Sequence, residues 1–379
     1  MKIITIIGAR PQIIKAAAIS RAIRNNYSSK IQELIVHTGQ HYDENMSTVF
    51  FDELQIPKPN YNLNVGSGNH GAQTAKMLEG IEEIILKEQP NAVLVYGDTN
   101  STVAGGLAAS KLLVPLVHIE AGLRSFNKSM PEEINRISCD HMSTLLFSPT
   151  KQGLENLQRE GFKISNQQPF TIDNPRVYHC GDIMYDNSLY FSELASKKSI
   201  ISDLNLNKNF ILTTIHRNNN TDIPERLSSI FEALLEISET NKIQVVLPLH
   251  PRTKKMMEVN LSADLQNKID ASQYIQIIEP VSFLEMIALE KNARFVMTDS
   301  GGVQKEAFYF EKPCIILRPE TEWVEIVENG NAILCDADKS RITAAYKKLT
   351  EAKKLTYPLL FGDGKAAEFI CCEMILHLG

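Results

Sequence analysis

Short runs of apolar residues alternate with helical stretches along nearly the whole chain. In the first half, runs of strand length occur at 2–7 (KIITII), 33–37, 93–97 (VLVYG) and 114–120 (VPLVHIE). The second half repeats the pattern at 210–216 (FILTTIH), 243–250 (IQVVLPLH), 294–300 (RFVMTDS) and 313–319 (PCIILRP). Between these runs, apolar residues recur at helical spacing. Continuous apolar strands joined by helices indicate parallel sheets buried on both faces, so the sequence predicts an α/β fold.

The length of the chain favours two domains. It has 379 residues, and one domain usually contains about 100–200 residues. A polar stretch at 196–209, just after a predicted helix at 183–195, is the best candidate for a linker. We therefore expect two α/β halves that meet near 180–205, and a final helix at 365–377 that could pack on either half.

Composition and charge exclude several classes of protein. Lys and Arg number 39, and Asp and Glu number 45, so the net charge is −6. This balance argues against a dedicated nucleic-acid-binding protein. The six cysteines are scattered without a CxxC pair, as in proteins with reduced intracellular thiols. No apolar run is long enough to span a membrane, and a signal-peptide pattern is missing, so we expect a cytoplasmic protein that binds neither nucleic acid nor membranes.

Polar residues cluster where the predicted strands end. In the first half, Arg10, Asp98 and Glu120 lie at or just after such ends, and His216 and residues 299–302 do so in the second half. Ligands of open α/β sheets bind outside the carboxyl ends of the strands. If the two halves face each other, these groups converge on one cleft.

Two strand-to-helix turns are candidates for binding a phosphate. The sequence DSGG at 299–302 precedes a predicted helix, whose free N–H groups and dipole favour an anion such as pyrophosphate; an ordinary helix cap is the alternative. Glu306 on that helix could hold ribose hydroxyls or be simply solvated. The turn at 8–12 lacks the GxGxxG fingerprint. Arg10 and Lys15 would add positive charge there, or lie solvated on the surface.

Three carboxylates are candidates for acid–base chemistry. Asp98 and Glu120 end apolar strands, where a charged group costs free energy unless it is paired or used. Glu132 begins a helix after a proline, which is also ordinary helix-start sequence, and it could form an exposed ion pair with Arg136. Together with His216, these carboxylates favour a functional site, because neighbouring carboxylates separate each other's pKa values and so divide acid and base roles. The histidines and cysteines lack the tight spacing of a metal site.

Several motifs occur in a fixed order. They are GARPQ-x-x-K at 8–15, TGQH at 38–41, GDT-x-S at 97–101, H-x-EAGLR at 118–124, PEE-x-NR at 131–136, T-x-HR at 214–217, HPR at 250–252 and TDSGG-x-Q-x-EA at 298–307. Across nearly the whole chain, this order resembles the non-hydrolysing UDP-N-acetylglucosamine 2-epimerases.

The resemblance implies a glycosyltransferase-B-type architecture. Its two Rossmann-like parallel-sheet domains would comprise 1–182 and 183–361, with the nucleotide sugar in an interdomain cleft. It further implies that a C-terminal helix at 362–379 packs back on the N-terminal domain, and that the protein is a homodimer.

The resemblance also implies an activity. The family interconverts UDP-N-acetylglucosamine and UDP-N-acetylmannosamine by anti-elimination of UDP to 2-acetamidoglucal and re-addition with inversion at C2. A cytoplasmic isomerase of surface polysaccharide synthesis follows, without a metal or nicotinamide cofactor. By motif, Asp98, Glu120 and Glu132 are the acid–base candidates, and Arg136 and His216 orient them or stabilise UDP. The residues that would hold the nucleotide are Arg10, Lys15, Ser300, Gly301, Gly302 and Glu306.

The chain departs from the family pattern at several positions. Trp323 replaces an arginine of the common T-E-R-P-E motif that helps bind the nucleotide, and Met286 stands where phenylalanine is common near the uracil. Tyr42-Asp43 and the segment 66–73 also differ, in regions that shape the sugar pocket and, in many relatives, a second, activating UDP-sugar site. The MPEEINR and TEWVE sequences look like a subgroup that acts on modified sugars such as UDP-2,3-diacetamido-2,3-dideoxyglucuronate.

Two other functions are alternatives. A glycosyltransferase would use the same two-domain cleft, but it would need an acceptor site and would not need the three carboxylates. A catalytically silent nucleotide-sugar sensor would not need these carboxylates either.

Overall fold

The structure is a computed structural model. It describes residues 1–39, 55–207, 209–352 and 354–379. The helix predicted near 43–54 and residues 40–43 of the sequence motifs lie outside the described residues. The chain divides into two compact units, which are Met1–Asn187 with Leu359–Gly379, and Ser188–Pro358.

A parallel sheet forms the centre of the N-terminal unit. Its strands are β1 (Lys2–Ile7), β2 (Gln32–His37), β3 (Tyr61–Asn62), β4 (Ala92–Tyr96), β5 (Leu116–Ile119), β6 (Leu145–Ser148) and β7 (Arg176–His179). They pair in the order β3-β2-β1-β4-β5-β6-β7, and every pair is parallel. The central strands are buried along almost their whole length because they are apolar on both faces.

Helices cover this sheet. They are α1 (Arg10–Ala22), α2 (His70–Glu88), α3 (Asn100–Lys111), α4 (Pro131–Met142), α5 (Lys151–Arg159) and α6 (Ile183–Ala195), of which α6 runs on into the second unit. Ile4 and Val93 pack in one cluster with Met77 and Ile81 of α2. Ile3 and Ile7 point to the opposite face and are also fully buried. The predicted burial on both faces is therefore confirmed.

A parallel sheet also forms the centre of the C-terminal unit. Its strands are β8 (Phe210–Thr214), β9 (Gln244–Pro248), β10 (Ile275–Ile278), β11 (Phe295–Thr298), β12 (Cys314–Ile316) and β13 (Ala332–Leu334). The order is β10-β9-β8-β11-β12-β13, again with every pair parallel. The predicted α/β class with two parallel sheets is confirmed.

Helices connect these strands. They are α7 (Ile200–Asp203), α8 (Asn218–Thr221), α9 (Pro224–Asn241), α10 (Pro251–Asn260), α11 (Ala263–Ala271), α12 (Phe283–Asn292), α13 (Gly301–Tyr309), α14 (Val324–Glu328) and α15 (Lys339–Glu351). Leu227, Ile230 and Leu234 recur at helical spacing on α9 and pack on the apolar side chains of β8 and β9. Within the described ranges, none of the helices has the length and apolar character needed to cross a membrane.

The last helix, α16 (Ala366–Leu378), belongs to the N-terminal unit. Its first turn is held by Asp186, whose carboxylate accepts the backbone N–H groups of Ala366 at 3.2 Å and Ala367 at 2.7 Å. Burial raises the pKa of Asp186 to about 6. On the same helix, the ring of Phe369 lies edge-on to Phe147 of β6 at 6.4 Å between centroids. These contacts fasten the C-terminus of the chain to its N-terminal sheet.

Each sheet has one point at which the order of the strands reverses. In the N-terminal unit it lies between β1 and β4, because β2 and β3 follow on one side and β5 to β7 on the other. In the C-terminal unit it lies between β8 and β11 for the same reason. Connections from the two strands at such a point leave to opposite faces and open a crevice at the carboxyl ends. The fold thus predicts one ligand-binding region in each unit, at β1 and β4 and at β8 and β11.

Candidate functional site

Lys15 and Glu120 form an ion pair near the switch point of the N-terminal unit, which is the point between β1 and β4 at which the strand order reverses. Lys15 lies on α1, and Glu120 directly follows β5. The ammonium of Lys15 contacts the Oε2 atom of Glu120, and the two side chains are only 14% and 9% exposed. Glu120 has a φ of 71°, which is uncommon for a residue with a side chain and occurs most often at functional sites. The sequence placed Lys15 at the nucleotide, but here it contacts the carboxylate expected to act on the sugar.

Arg136 joins Asp98 to a buried glutamate. The Nη2 atom of Arg136 contacts Oδ2 of Asp98, and its Nη1 atom donates to Oε2 of Glu133 at 2.6 Å. Glu133 is 1% exposed, and it also accepts the backbone N–H groups of Ser125 and Phe126, both at 3.0 Å. Since the bonds from Arg136 Nη1, Ser125 and Phe126 converge on Glu133, this carboxylate holds both Arg136 and the segment before α4.

The sequence motifs selected Glu132, not its neighbour Glu133, as an acid–base candidate. Glu132 is exposed, and the ion pair with Arg136 that the sequence left open as an alternative is not formed, because Arg136 contacts Asp98 and Glu133 instead. Consecutive helical residues lie about 100° apart around the axis, so only one of two adjacent glutamates faces inward. Glu132 thus has its carboxylate on the open side of α4, available to a ligand, and Glu133 has a structural position.

A buried cluster of charged and polar side chains, formed by His118, Asp140 and Arg124, lies next to Gly97, the residue before Asp98. His118 and Asp140 are completely buried, and Nδ1 of His118 lies 2.7 Å from Oδ1 of Asp140. Nε2 of His118 lies 2.8 Å from the carbonyl oxygen of Gly97. Arg124 contacts Oδ2 of Asp140 at 2.7 Å and Oε2 of Glu160 at 2.6 Å. Burial raises the pKa of Asp140, but the hydrogen bond from His118 and the charges of His118 and Arg124 outweigh burial and leave this pKa below its ordinary value.

Asp299 organises the switch point of the C-terminal unit. It is completely buried, and its carboxylate accepts the backbone N–H groups of His216 at 3.1 Å and Arg217 at 3.0 Å. The side-chain amide of Asn220 donates to it at 3.1 Å. Nδ1 of His216 lies 3.2 Å from Oδ1 of Asp299, and the imidazole is 49% exposed. Asp299 therefore orients His216 so that its Nε2 edge faces outward.

The N-terminus of α13 follows Asp299 directly. Ser300 occupies the N-cap position, but its side chain makes no capping hydrogen bond. A Cβ atom on Gly301 would meet no atom closer than 3.4 Å, and one on Gly302 would meet no atom closer than 3.8 Å. Neither packing nor backbone conformation therefore requires glycine at these two positions. Both positions lie at a helix N-terminus, where N–H groups attract anions.

Trp323 lies against this helix start, at the position where the family resemblance led us to expect an arginine. Its Nε1 atom would be 3.6 Å from a Cβ atom on Gly301. The Nζ atom of Lys305, on the buried side of α13, lies 4.0 Å from the centroid of the Trp323 ring. Arg318 forms a two-pronged ion pair with Glu322 at 3.0 and 2.9 Å, also next to Gly301. The region thus retains cationic side chains although the expected arginine is absent.

Glu306 lies on α13 next to a buried carboxyl group on α12. Glu290 is completely buried, and burial, together with the charge and hydrogen bond of Glu306, raises the pKa of Glu290 well above its ordinary value. Glu290 is therefore the neutral partner in this pair. Met286 lies partly buried on the same helix as Glu290.

The structure brings together some of the predicted residues within each unit. Lys15 joins Glu120, Asp98 joins Arg136, and His216 lies beside the residue that precedes Ser300. Arg10 is exposed at the first position of α1. Several residues that support these groups had no role assigned from the sequence. Four of them lie within the motifs: His118, Arg124, Glu133 and Asp299. Asp140 and Glu290 lie outside the motifs.

In the described part of the chain, no three His, Cys, Asp or Glu side chains are grouped so that they could bind a metal ion.

Comparison with known proteins assigns the chain to a family. The family model described as UDP-N-acetylglucosamine 2-epimerase matches residues 23–375. A UDP-N-acetylglucosamine 2-epimerase homolog from Methanococcus maripaludis is 49% identical, with 97% of each chain covered. The UDP-2,3-diacetamido-2,3-dideoxy-D-glucuronate 2-epimerase of Pseudomonas aeruginosa is 48% identical, with 98% of each chain covered.

A solved structure is similar over the same length. The crystal structure of Methanocaldococcus jannaschii UDP-GlcNAc 2-epimerase in complex with UDP-GlcNAc and UDP has a TM-score of 0.83 and 42% identity. The match covers 99% of this chain and 100% of that one. The fold is thus of the glycosyltransferase-B type, as the resemblance implied. By its sequence and its fold, the chain belongs to the UDP-N-acetylglucosamine 2-epimerase family and is a UDP-sugar 2-epimerase, an isomerase.

Proposed function

We propose that this enzyme interconverts UDP-N-acetylglucosamine and UDP-N-acetylmannosamine by elimination and re-addition of UDP. In the first step, a carboxylate removes the proton at C2, the C1–O bond to UDP breaks, and a C1–C2 double bond forms. In the second step, a proton returns to the other face of C2 while UDP adds back at C1. The proton lost from C2 is replaced by another, and the UDP that leaves C1 adds back there, so the reaction is balanced without a redox cofactor.

The observation that carries this proposal is the pairing of Lys15 with Glu120 next to the pairing of Arg136 with Asp98. Proton removal at C2 needs a fixed base, and return of the proton to the opposite face needs a second donor. Two carboxylates, each beside a cation, supply both groups. The cations also stabilise negative charge that develops on the substrate during elimination. Exposed Glu132 is the third candidate for these proton transfers.

In this proposal, the C-terminal unit binds the UDP group. The N–H groups at the start of α13 would hold the phosphates, with Gly301 and Gly302 leaving room for them. His216, oriented by Asp299, would donate from Nε2 to the leaving phosphate oxygen. Glu306 would accept hydrogen bonds from the ribose hydroxyls. Related structures contain UDP-GlcNAc and UDP, or UDP alone, which supports the same assignment here.

A second candidate substrate is UDP-2,3-diacetamido-2,3-dideoxyglucuronate. Two observations favour it: the chain has Trp323 in the TEWVE sequence, and its identity to the Pseudomonas enzyme that acts on this sugar is 48%. The identity to the M. jannaschii UDP-N-acetylglucosamine 2-epimerase is 43%. The elimination chemistry at C2 would be the same with either sugar.

The test is exchange at C2 in D2O. The protein is incubated separately with each UDP-sugar, and ¹H NMR follows loss of the C2 proton signal and appearance of the manno product. We expect deuterium at C2 and the manno product with UDP-N-acetylglucosamine. Exchange only with the diacetamido-uronate would select the second candidate. Exchange with neither sugar would refute both candidate substrates.

A further inference from the structure

Three side-chain amides form a continuous hydrogen-bonded chain in the N-terminal unit. Asn135 of α4 donates from Nδ2 to Oδ1 of Asn100 at 3.3 Å, and Asn100 donates from Nδ2 to Oε1 of Gln73 at 2.8 Å. At one end, Nε2 of Gln73 donates to the carbonyl oxygen of Gly66 at 2.8 Å, and at the other, Nδ2 of Asn135 donates to that of Asp98 at 2.9 Å. These three residues, called the amide chain below, connect α2 and its preceding loop with the catalytic candidate Asp98.

The carbonyl groups at the two ends determine the orientation of all three amides. A carbonyl oxygen only accepts hydrogen bonds, so Gln73 and Asn135 must each turn their NH2 group toward an end. Gln73 then offers its oxygen to Asn100, which donates to Gln73 and accepts from Asn135. Turning any one amide by 180° would place like atoms together, so the hydrogen bonds themselves exclude another assignment.

Asn100 is the centre of the amide chain and uses both hydrogens of its NH2 group. Its Nδ2 atom lies 2.8 Å from Oε1 of Gln73 and 3.1 Å from Nδ1 of His70, the first residue of α2. Asn100 and Gln73 are each only 7% exposed. A buried amide that loses its partner is costly, and hydrogen bonds in series strengthen one another. The three amides therefore hold one common arrangement.

Asp98 is held by two adjacent residues of α4. Asn135 donates to its carbonyl oxygen, and Arg136 contacts its carboxylate. Asn100 lies two residues after Asp98 and accepts from Asn135, so it fastens the turn that carries Asp98 to α4. A displacement of Asn100 or Asn135 would therefore move the carboxylate of Asp98.

We propose that Asn100 is a positioning residue, which couples the position of α2 to Asp98 through the amide chain. A neutral amide cannot take up the C2 proton, so neither Asn100 nor Gln73 replaces a catalytic carboxylate. Their effect on the reaction is indirect, because a shift at Gln73 passes through Asn100 to Asn135 and then to Asp98. This inference rests on the proposed function for its effect on the reaction, but not for the coupling within the protein.

The coupling is tested first without substrate. ¹H–¹⁵N spectra record the side-chain NH2 signals of the full-length protein, and the signal that disappears in Asn135→Ala assigns Asn135. We expect Gln73→Ala to shift that signal, although Asn100 lies between the two residues. Lys76→Ala, which changes an exposed residue of the same helix, should leave it in place. An Asn135 signal that does not move in Gln73→Ala would refute the coupling.

Kinetics test the positioning role with the UDP-sugar that the unaltered protein exchanges. Asn100→Ala should lower kcat for C2 exchange about 10- to 100-fold, as for a small displacement of a catalytic group, while KM and UDP affinity change little. Gln73→Ala should act in the same direction but less strongly. Gln73→Glu keeps an acceptor for Asn100 and should therefore restore most of kcat.

Asn166→Ala is the matched control for these variants. Asn166 belongs to the same unit, and its Nδ2 atom donates to the carbonyl oxygen of Pro175 at 2.8 Å. The control thus removes a similar bond from an amide to a carbonyl group, at the start of β7 rather than at the carboxyl ends of the strands. We expect it to leave kcat unchanged.

A double-mutant cycle distinguishes one chain from independent contacts. Since Asn100 acts on Asp98 through Asn135, the double variant Asn100→Ala/Asn135→Ala should have the kcat of Asn135→Ala alone. Reductions of kcat that multiply in the double variant would show that the two amides act independently, which would overturn the proposal.

The remaining outcomes are also decisive. An unchanged kcat in a folded Asn100→Ala variant excludes the positioning role. If circular dichroism shows that this variant does not fold, the spectra and kcat of Gln73→Ala decide in its place, and an unchanged kcat there has the same meaning. If the unaltered protein exchanges C2 of neither sugar, the proposed function fails, whereas a shifted Asn135 signal in Gln73→Ala would still support the coupling.

Discussion

The two units contain glycine at their sites for different reasons. In the N-terminal unit, a Cβ atom on Gly8 would overlap the hydroxyl oxygens of Thr38 and Ser101, and Gly97 has positive φ and packs against an ion pair. In the C-terminal unit, Gly301 and Gly302 have neither constraint. The first two glycines are required by the protein itself. At the second two, a Cβ atom would make only ordinary van der Waals contacts, so the fold does not require glycine there, and we propose that these glycines serve phosphate binding at the helix start.

The charged groups at the two sites are also arranged differently. At the N-terminal site, carboxylates and cations are paired directly, as in Lys15 with Glu120 and Arg136 with Asp98. At the C-terminal switch point, buried Asp299 gathers two backbone N–H groups, an amide and the half-exposed His216. Fixed charge pairs suit proton transfer, and outward N–H groups suit an anion. We therefore propose that the N-terminal unit carries out catalysis and the C-terminal unit binds the nucleotide.

Glu120→Gln should have the largest effect. The change removes a proton acceptor and the partner of Lys15, but it lies in the unit to which we assign no phosphate binding. We expect the rate of C2 deuterium exchange to fall by about 10²–10⁴-fold, the usual contribution of a general acid or base. UDP affinity, measured by calorimetry, should stay within a factor of about two.

Glu79→Gln is the matched control for this prediction. Glu79 is an exposed residue of α2 in the same unit, and its replacement should alter neither exchange nor UDP affinity. Wild-type exchange in Glu120→Gln would remove Glu120 from the catalytic group. A large loss of UDP affinity in that variant would contradict the division of roles between the units.

Gly302→Ala should have the opposite profile. A Cβ atom at this position would make only an ordinary contact, with the hydroxyl oxygen of Ser300 at 3.8 Å, so the free energy of unfolding should change by no more than about 1 kcal/mol. The methyl group would occupy the phosphate space, and we expect UDP affinity to fall about tenfold or more, as when a steric clash is built into a binding site. Calorimetry and thermal unfolding measure the two effects.

Gly8→Ala provides the contrast between the two kinds of glycine. Its Cβ atom would overlap two hydroxyl groups that are hydrogen-bonded to each other at 2.8 Å. Such overpacking costs about 1–3 kcal/mol, so this variant should lose stability in the N-terminal unit. Equal stability losses in Gly8→Ala and Gly302→Ala would show that the distinction between the glycines is incorrect.

The sequence predicted the long strands of the fold better than the short ones. KIITII and AVLVY are continuous apolar runs, and both form central strands. The sequence RVYH forms the edge strand β7, but it is only four residues long and contains Arg and His, so it lacks the continuous apolar pattern of a strand. The three-residue strand β13 is likewise too short to show a period. Their strand state depends on pairing with a neighbour, which is tertiary information.

At the site, the sequence predicted residue types better than partners. The motifs made Glu120 and Lys15 candidates, but they did not show that the two side chains contact each other, because these lie on different elements. Glu132 and Glu133 are equivalent as helix-start residues, and only the direction in which α4 faces distinguishes them. Asp140 lay outside every quoted motif, and its importance arises from burial beside His118. Contacts between distant segments follow from packing, which local patterns do not encode.

A pair of variants tests the distinction between the adjacent glutamates. Glu133→Gln breaks a buried ion pair and weakens two hydrogen bonds to backbone N–H groups, so we expect a loss of about 1–3 kcal/mol in unfolding free energy. Glu132→Gln changes an exposed residue and should stay within about 0.5 kcal/mol of the unaltered protein, while C2 exchange falls. Denaturant unfolding and exchange rates measure these effects. Equal stability of the two variants would contradict the assigned burial.

The smallest predicted effect is a difference in how the two units respond to pH. In the N-terminal unit, contacts with His118 and Arg124 leave the pKa of Asp140 below its unfolded value. Its contribution to stability is therefore present above the ordinary carboxyl pKa of about 4 and is lost as the pH falls below it. In the C-terminal unit, burial and then Glu306 raise the pKa of Glu290 well above its ordinary value. The native state then binds a proton that the unfolded state releases, so this contribution is complete below about pH 4 and is lost as the pH rises.

Hydrogen exchange measured by mass spectrometry can follow each unit separately. After correction for intrinsic exchange rates, peptides from α4 should lose protection as the pH falls, and peptides from α12 should lose protection as the pH rises. Glu290→Gln keeps a neutral group at this site, so it should reduce the loss at rising pH in α12 and leave α4 unchanged. Glu279→Gln, an exposed residue just before α12, should have no such effect. Loss of protection in both units at the same pH would show that the opposite environments of Asp140 and Glu290 do not govern their stability.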